Sequence, residues 1–216
     1  MGTFLRILFL IVILGGLVVG IILVGQKQLL NKEAAEISSA LFNLRPTAAP
    51  SPTPGPDAGS IAFTLKFQGI STPGLSKTVS LTLKQGETTI YSFMNVAVSS
   101  KIGGVYSGKI EGVNPGAYDI YLKGETHLTR KFPETVIETG KNSFDFSSKM
   151  LLAGDFDGNN KINVSDVGVL SSKITTPSIM VDVNNQIFDL DGNGEIGSSD
   201  MDLILSNYQG LEVSGD

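Results

Sequence analysis

Residues 61–67 read IAFTLKF, and this stretch decides the architecture predicted for the middle of the chain. Its apolar side chains occupy every second position, which is the period of a β-strand with one buried face. The same alternation returns over residues 79–83, 118–122 and 144–146. Short strands at this spacing, with no long helical pattern between them, predict an antiparallel β-sandwich of about seven strands over residues 61–150.

The composition removes most catalytic mechanisms. The 216 residues include no cysteine and one histidine, His127, which excludes disulfides, Cys/His zinc sites and a His-paired triad. The net charge of −5 argues against nucleic acid as the main partner. No linear motif joins the glutamates of the predicted sandwich into a carboxylate pair. We therefore expect a binding protein rather than an enzyme.

The N-terminal region predicts a membrane anchor. Residues 7–24, ILFLIVILGGLVVGIILV, carry no charged side chain and are long enough to cross most of a bilayer core. We assign residues 1–25 to an uncleaved transmembrane helix, with a cleaved signal as the alternative. The expected location is the cell membrane, single-pass, with the C-terminal part extracellular, where calcium is abundant.

Two connecting segments follow the anchor. Residues 26–44 contain strong helix formers with apolar positions at threes and fours, so a helical stalk is predicted. Residues 45–60 contain five prolines, which favour an extended linker. A Pro-rich ligand for an SH3-like domain is the alternative reading of this segment.

The acidic residues are concentrated near the C-terminus. From residue 152 onward, eleven Asp/Glu stand against two Lys, a net charge of −9. Such a density opposes folding unless cations or a basic surface lie among the acids. Around His127, which we expect in an exposed loop, Lys123, Arg130 and Lys131 form a basic patch that offers such a surface.

Residues 151–216 contain an internal repeat of two twelve-residue loops, DFDGNNKINVSD (155–166) and DLDGNGEIGSSD (189–200). Oxygen ligands at positions 1, 3, 5 and 12, and a backbone carbonyl at position 7, are the pattern that wraps calcium. The candidate ligands are Asp155, Asp157, Asn159, Lys161 and Asp166 in loop 1, and Asp189, Asp191, Asn193, Glu195 and Asp200 in loop 2. We therefore expect two Ca²⁺ ions.

Other interpretations of the loops fit less well. Asp-Gly-Asn clusters also form ordinary turns, but two copies in matched register disfavour that reading. Magnesium prefers octahedral coordination with retained waters over a wrapped loop of protein oxygens. Ile162 and Ile196, at position 8 of each loop, are predicted to face the core.

Each loop is followed by one short helical pattern, and this duplication resembles type I dockerin domains over about residues 151–210. The resemblance implies a bacterial surface protein, calcium-dependent folding and a cohesin-like partner, often in polysaccharide-degrading systems. It also implies partner contacts by Val164, Ser165, Ser198 and Ser199. Residues 104–125, GVYSGKIEGVNPGAYDIYLKGE, resemble the closing strands of prealbumin-like and collagen-binding-B-type modules.

The predicted fold class is thus multi-domain: a transmembrane helix and stalk, an antiparallel β-sandwich, and a small α-helical dockerin-like module with two calcium loops. The predicted function is membrane-tethered, calcium-dependent protein association, with a cohesin-like protein or the chain's own β-sandwich as partner. The alternative is a carbohydrate-binding component of a polysaccharide-degrading assembly, for which a glycan is a possible ligand.

Overall fold

The computed structural model describes residues 53–100 and 103–216. The expected anchor (1–25), the expected stalk (26–44) and the first half of the expected linker (45–60) lie outside these residues. Within the described ranges, no helix combines the length and apolar character needed to cross a bilayer. The prediction of a single-pass membrane protein with an extracellular C-terminal part is therefore not supported.

One seven-stranded sheet dominates the described residues. Its strands are β1 (Gly59–Lys66), β2 (Ser76–Gln85), β3 (Thr88–Ser100), β4 (Val105–Val113), β5 (Gly116–Gly124), β6 (Arg130–Ile137) and β7 (Lys141–Asp145). Their order in the sheet is β6-β5-β2-β3-β4-β1-β7. Neighbours pair antiparallel except β1 and β7, which are parallel. The sheet is therefore mixed rather than wholly antiparallel.

The long strand β3 connects the two halves of this sheet. It pairs with β2 from Thr88 to Ser99, but it pairs with β4 only at Ser99 and Ser100. Apolar residues from both halves meet in one buried core, which includes Ile61, Leu81 and Ile120, each with no exposed surface. Alternating burial along β1 and β2 confirms the expected period-two pattern. The result is a sandwich-like arrangement.

The remaining residues form short elements around the two loops. These are β8 (Lys161–Ile162), α1 (Val164–Ser171), β9 (Ile179–Met180), a 3₁₀ helix (Gln186–Phe188), β10 (Glu195–Ile196), α2 (Ser198–Tyr208) and β11 (Val213–Ser214). Strand β8 pairs with β11 and β9 pairs with β10. Ile162 and Ile196 are buried, as predicted, in a second core that also contains Leu128 of the sandwich.

The predicted fold class is wrong in its last part, because no α-helical module is present among the described residues. Only two α-helices form there, of eight and eleven residues. The core beside them is built as much from short strands, turns and Leu128 of the sandwich as from the helices themselves. Ribbons and turns connect the helices, and all described residues belong to one compact unit.

Backbone hydrogen bonds hold residues 151–216, here called the loop region, against the sandwich. Leu151 donates to the carbonyl of Lys66 at 3.0 Å, and Gln68 donates to the carbonyl of Leu151 at 3.0 Å. Leu128 donates to the carbonyl of Leu152 at 2.8 Å. The chain therefore enters loop 1 while it is still hydrogen-bonded to the sandwich, and this fixes loop 1 beside the end of β5.

Candidate metal centre

The first half of loop 1 is shaped by side chains that accept from backbone N–H groups two residues ahead. Asp157 Oδ1 accepts from the amide of Asn159 at 3.1 Å, and Asn159 Oδ1 accepts from the amide of Lys161 at 2.8 Å. Short polar side chains readily form such turns. The alternating Asp and Asn of the sequence thus fold the loop inward without help from distant residues.

The last position of loop 1 links the loop to the helix that follows. Asp166 Oδ1 accepts from the amide of Phe156 at 2.9 Å, and Asp166 Oδ2 accepts from the amide of Asn163 at 3.0 Å. Asn163 is the N-cap of α1 and accepts in turn from the amide of Ser165. The capping box therefore holds the buried Asp166 carboxylate between the start and the end of loop 1.

Loop 2 repeats this arrangement. Asp200 Oδ1 accepts from the amide of Leu190 at 2.7 Å, and Asp200 Oδ2 accepts from the amide of Gly197 at 2.9 Å. Asn193 Oδ1 accepts from the amide of Glu195 at 2.7 Å. Two segments thirty-four positions apart thus adopt the same local hydrogen-bond pattern.

Position 6 provides the sharp turn in both loops. The φ angle is +65° at Asn160 and +91° at Gly194. Glycine adopts this left-handed region freely, and asparagine is one of the few other residues that tolerate it. The amide at this position donates to the first Asp in each loop, at 3.1 Å from Asn160 to Asp155 and at 3.1 Å from Gly194 to Asp189.

The carboxylates at positions 1, 3 and 12 converge in both loops. One oxygen from each of Asp155, Asp157 and Asp166 lies within 4.8 Å of the others, and the same holds for Asp189, Asp191 and Asp200. The position-5 side chains join these groups, because Asn159 Nδ2 contacts Asp157 Oδ2 at 2.8 Å and Asn193 Nδ2 contacts Asp191 Oδ2 at 3.0 Å.

The position-7 side chains point to partners other than the carboxylate groups. Lys161 Nζ forms an ion pair with Glu212 at 2.8 Å, and Glu195 Oε2 accepts from Ser178 Oγ at 2.6 Å. These side chains are therefore engaged elsewhere, so only their backbone carbonyls are candidates for the position-7 ligand.

Asp155 has one oxygen that is free to act as a metal ligand. The side chain has no exposed surface, and its Oδ1 atom is buried without a hydrogen-bond partner among the described residues. Its Oδ2 atom, in contrast, accepts from the amide of Asn160 and from Lys123 Nζ. A buried carboxylate oxygen without a partner is costly, and a calcium ligand bond of about 2.3–2.6 Å would satisfy it.

The pKa shifts of two carboxyl groups in loop 2 are consistent with a bound cation. Burial raises the pKa of the Asp200 carboxyl, and the nearby Asp191 adds to this effect, while backbone N–H donors oppose it. Burial also raises the pKa of Asp189. Clustered carboxylates in a partly desolvated loop favour the neutral form unless a cation is bound.

Lys123 of β5 lies against loop 1. Its Nζ atom is 2.5 Å from Asp155 Oδ2 and donates to the carbonyl of His127 at 3.0 Å. One residue of the expected basic patch thus contacts the first residue of loop 1. Lys131 instead pairs with Asp119 of the sandwich at 2.7 Å.

His127 is buried rather than exposed as expected. Its ring packs edge-on against Phe67, with centroids 4.8 Å apart, and Gly124 leaves room for it. Burial lowers its pKa to about 3, and the charges of Lys77 and Lys123 add to the effect. Both ring nitrogens lack hydrogen-bond partners within the described part of the chain. His127 is therefore a neutral core residue.

The four residues predicted to contact a partner lie on the surface. Val164 and Ser165 open α1, and Ser198 and Ser199 open α2; all four are exposed. Val164 is 67% exposed. These positions are accessible, and their role as contacts remains a prediction.

No protein-family model and no curated protein matches the chain. Two solved structures similar to it are interface mutants of a type II cohesin–X–dockerin complex from Acetivibrio cellulolyticus. Their identities are 14% and 18%, their TM-scores 0.45 and 0.46, and each match covers 68% of this chain and 94% of the other. A candidate carbohydrate-binding protein from Bacteroides uniformis matches at 17% identity and a TM-score of 0.32, over 46% of this chain and 43% of the other. Similarities this low carry no argument about ligand or partner.

The resemblance to dockerins is therefore not upheld. The described residues lack the helical module that it implies, and no family model supports it. The expectation of a bacterial surface protein in polysaccharide breakdown, which was taken from it, falls with it. The resemblance of residues 104–125 to prealbumin-like and collagen-binding-B-type modules has no support either. The comparisons do not show calcium binding, so the case for an ion rests on the geometry, burial and charge of the loops.

Proposed function

We propose that this chain is a calcium-dependent binding module, in which two ions stabilise the loop region against the β-sandwich and protein association follows. The observation that carries the proposal is the buried, unpartnered Oδ1 of Asp155 within a converging group of carboxylates. Loop 1 would hold its ion with Asp155, Asp157, Asn159, Asp166 and the carbonyl of Lys161. Loop 2 would use Asp189, Asp191, Asn193, Asp200 and the carbonyl of Glu195.

Calcium suits these ligands better than magnesium. The donors are carboxylates, an amide oxygen and a backbone carbonyl within one flexible loop, which matches the irregular coordination of calcium by six to eight oxygens. A bound cation supplies the positive charge that offsets the repulsion between the clustered carboxylates. Its contribution is structural, because it neutralises the loop and fixes the start of the following helix.

Protein association is proposed because apolar side chains of the loop region remain exposed. Val164 is 67% exposed, Leu205 42% and Val169 38%, on the two helices whose first residues end the loops. Since the capping carboxylates Asp166 and Asp200 also belong to the loops, ion binding would order this surface. We propose binding rather than catalysis as its use.

Calorimetric titration of the calcium-free protein tests the ion sites. The expected result is two ions per chain, reduced to one in Asp166→Asn and to one in Asp200→Asn. Asp145→Asn is the matched control, because this carboxylate lies outside both loops, and it should keep two ions. A wild-type protein that binds no calcium would overturn the proposal.

The association half of the proposal needs a separate test. A pull-down with the purified protein as bait, in calcium and in chelator, should capture a protein only in calcium. The same bait carrying Val164→Asp should lose it while still binding two ions. Equal capture by the wild type with and without chelator contradicts calcium-dependent association.

A further inference from the structure

The two loops bring the same carboxylate positions together, but they differ in charge and in the groups that contact their first Asp. Loop 1 has Lys161 at position 7, where its ammonium group pairs with Glu212, whereas loop 2 has Glu195 at that position. Three Asp and one Lys give loop 1 a net charge of −2; three Asp and one Glu give loop 2 a net charge of −4. Loop 1 therefore attracts a divalent cation less strongly before any neighbour is considered.

The sandwich adds a second positive charge to loop 1. Lys123 Nζ lies 2.5 Å from Asp155 Oδ2, and the carboxylate is fully buried while the lysine side chain is 30% exposed. Its contact with the carbonyl of His127 anchors the ammonium group in place. In the described residues no ion pair reaches Asp189, Asp191 or Asp200.

The position-1 carboxylates respond differently to these surroundings. Asp189 Oδ1 accepts from the amides of Gly192 and Asn193 at 2.8 and 3.1 Å. Asp155 Oδ1 has no such donor, while its Oδ2 is shared by Lys123 and Asn160. Asp155 thus presents a free oxygen to the loop, but any cation bound there lies close to an ammonium group on the same carboxylate.

We propose that Lys123 is a built-in competitor of the cation in loop 1, so that loop 2 fills first and loop 1 fills only at higher calcium. This inference rests on the proposed function. Two cations that share one buried carboxylate repel each other at short range, where solvent screens poorly. The same ammonium stabilises the calcium-free protein, because it neutralises a carboxylate that would otherwise be buried and unpaired.

Variants in which only one loop can bind calcium allow the test. In Asp200→Asn, calorimetric titration measures calcium binding by loop 1 alone, and adding Lys123→Met should raise the affinity of loop 1 for calcium by about tenfold or more. In Asp166→Asn, which leaves loop 2, Lys123→Met should change nothing. Lys109→Met is the matched control, since it removes one ammonium group from an exposed pair with Glu111, which belongs to neither loop, and it should leave both affinities unchanged.

Two further variants keep the test possible if the Lys123→Met protein does not fold without calcium. Lys123→Gln keeps a hydrogen-bond donor for Asp155 without the charge and should tighten loop 1, whereas Lys123→Arg keeps the charge and should not. Unchanged or weaker calcium binding at loop 1 in the Gln and Met variants would overturn the inference and make Lys123 a positioning residue. If the wild type takes up no calcium, the proposed function fails; if it binds two ions with equal affinity, this inference alone fails.

Discussion

The side-chain amides of Gln68 and Asn207 hydrogen-bond to each other in both directions, although 139 positions separate them. Gln68 Nε2 donates to Asn207 Oδ1 at 2.9 Å, and Asn207 Nδ2 donates to Gln68 Oε1 at 2.6 Å. Both also bind Ala153, whose amide donates to Gln68 Oε1 and whose carbonyl accepts from Asn207. These hydrogen bonds connect the sandwich, helix α2 and the residues that precede loop 1.

Gln68→Ala should lower the free energy of unfolding by about 1–3 kcal/mol, because it leaves the Ala153 amide and the Asn207 side chain without their partner. Asn207→Ala should cost a similar amount, and the double variant should cost less than the sum of the two. Urea unfolding measures all three. Gln85→Ala, which removes an exposed contact with the Ala117 carbonyl, is the control and should change little. Additive costs would show that the two amides act independently.

Stability should fall in acid because of His127. Its pKa is about 3 in the folded protein, against a usual value of 6.5, so the unfolded chain binds the extra proton between these values. The stability that comes from neutral His127 is fully present above pH 6.5. It is lost as the pH falls toward 3, by about 1.4 kcal/mol per pH unit.

The comparison with His127→Phe isolates this residue from other titrating groups. Between pH 6.5 and 4.5 the stability of the wild type relative to the variant should drop by about 2–3 kcal/mol, as measured by urea unfolding at each pH. A difference that stays constant over this range would show that His127 does not remain neutral in the fold.

Gly154→Ala should destabilise the protein by about 3 kcal/mol. Gly154 has a φ of +127°, and an added Cβ would lie 2.7 Å from Ile204 Cγ1 in the second core. Gly168→Ala, in the exposed face of α1 with no atom near the added Cβ, should instead raise stability by about 0.5–1 kcal/mol. Thermal unfolding of both variants checks the contrast, and equal effects would contradict it.

The sequence predicts features whose partners are near one another in the chain. The turn at Asn160 follows from spacing, because the Asp155 carboxylate that accepts from its amide lies within the same loop. Strand alternation around Ile61 is local in the same way, so the sandwich could be predicted. The helices after the loops could also be expected, but not that they would share their core with Leu128 of the sandwich.

Contacts between distant segments could not be predicted. Lys123 could be assigned to a basic patch, but not to Asp155, because thirty-two residues separate them and only the fold decides which acid it meets. His127 lies among polar residues, which indicated exposure; its burial depends on Phe67, sixty positions earlier. Pairing over such distances is set by packing, and sequence periodicity carries no signal of it.

Thermal unfolding of the full protein in chelator and in millimolar calcium tests the central claim most directly. A site filled at about a thousand times its dissociation constant adds roughly 4 kcal/mol, so calcium should raise the melting temperature by about 10 °C or more. Magnesium at the same concentration should raise it far less. A melting temperature that is the same in chelator and in calcium would contradict the account, because the carboxylates of the two loops would then need no cation.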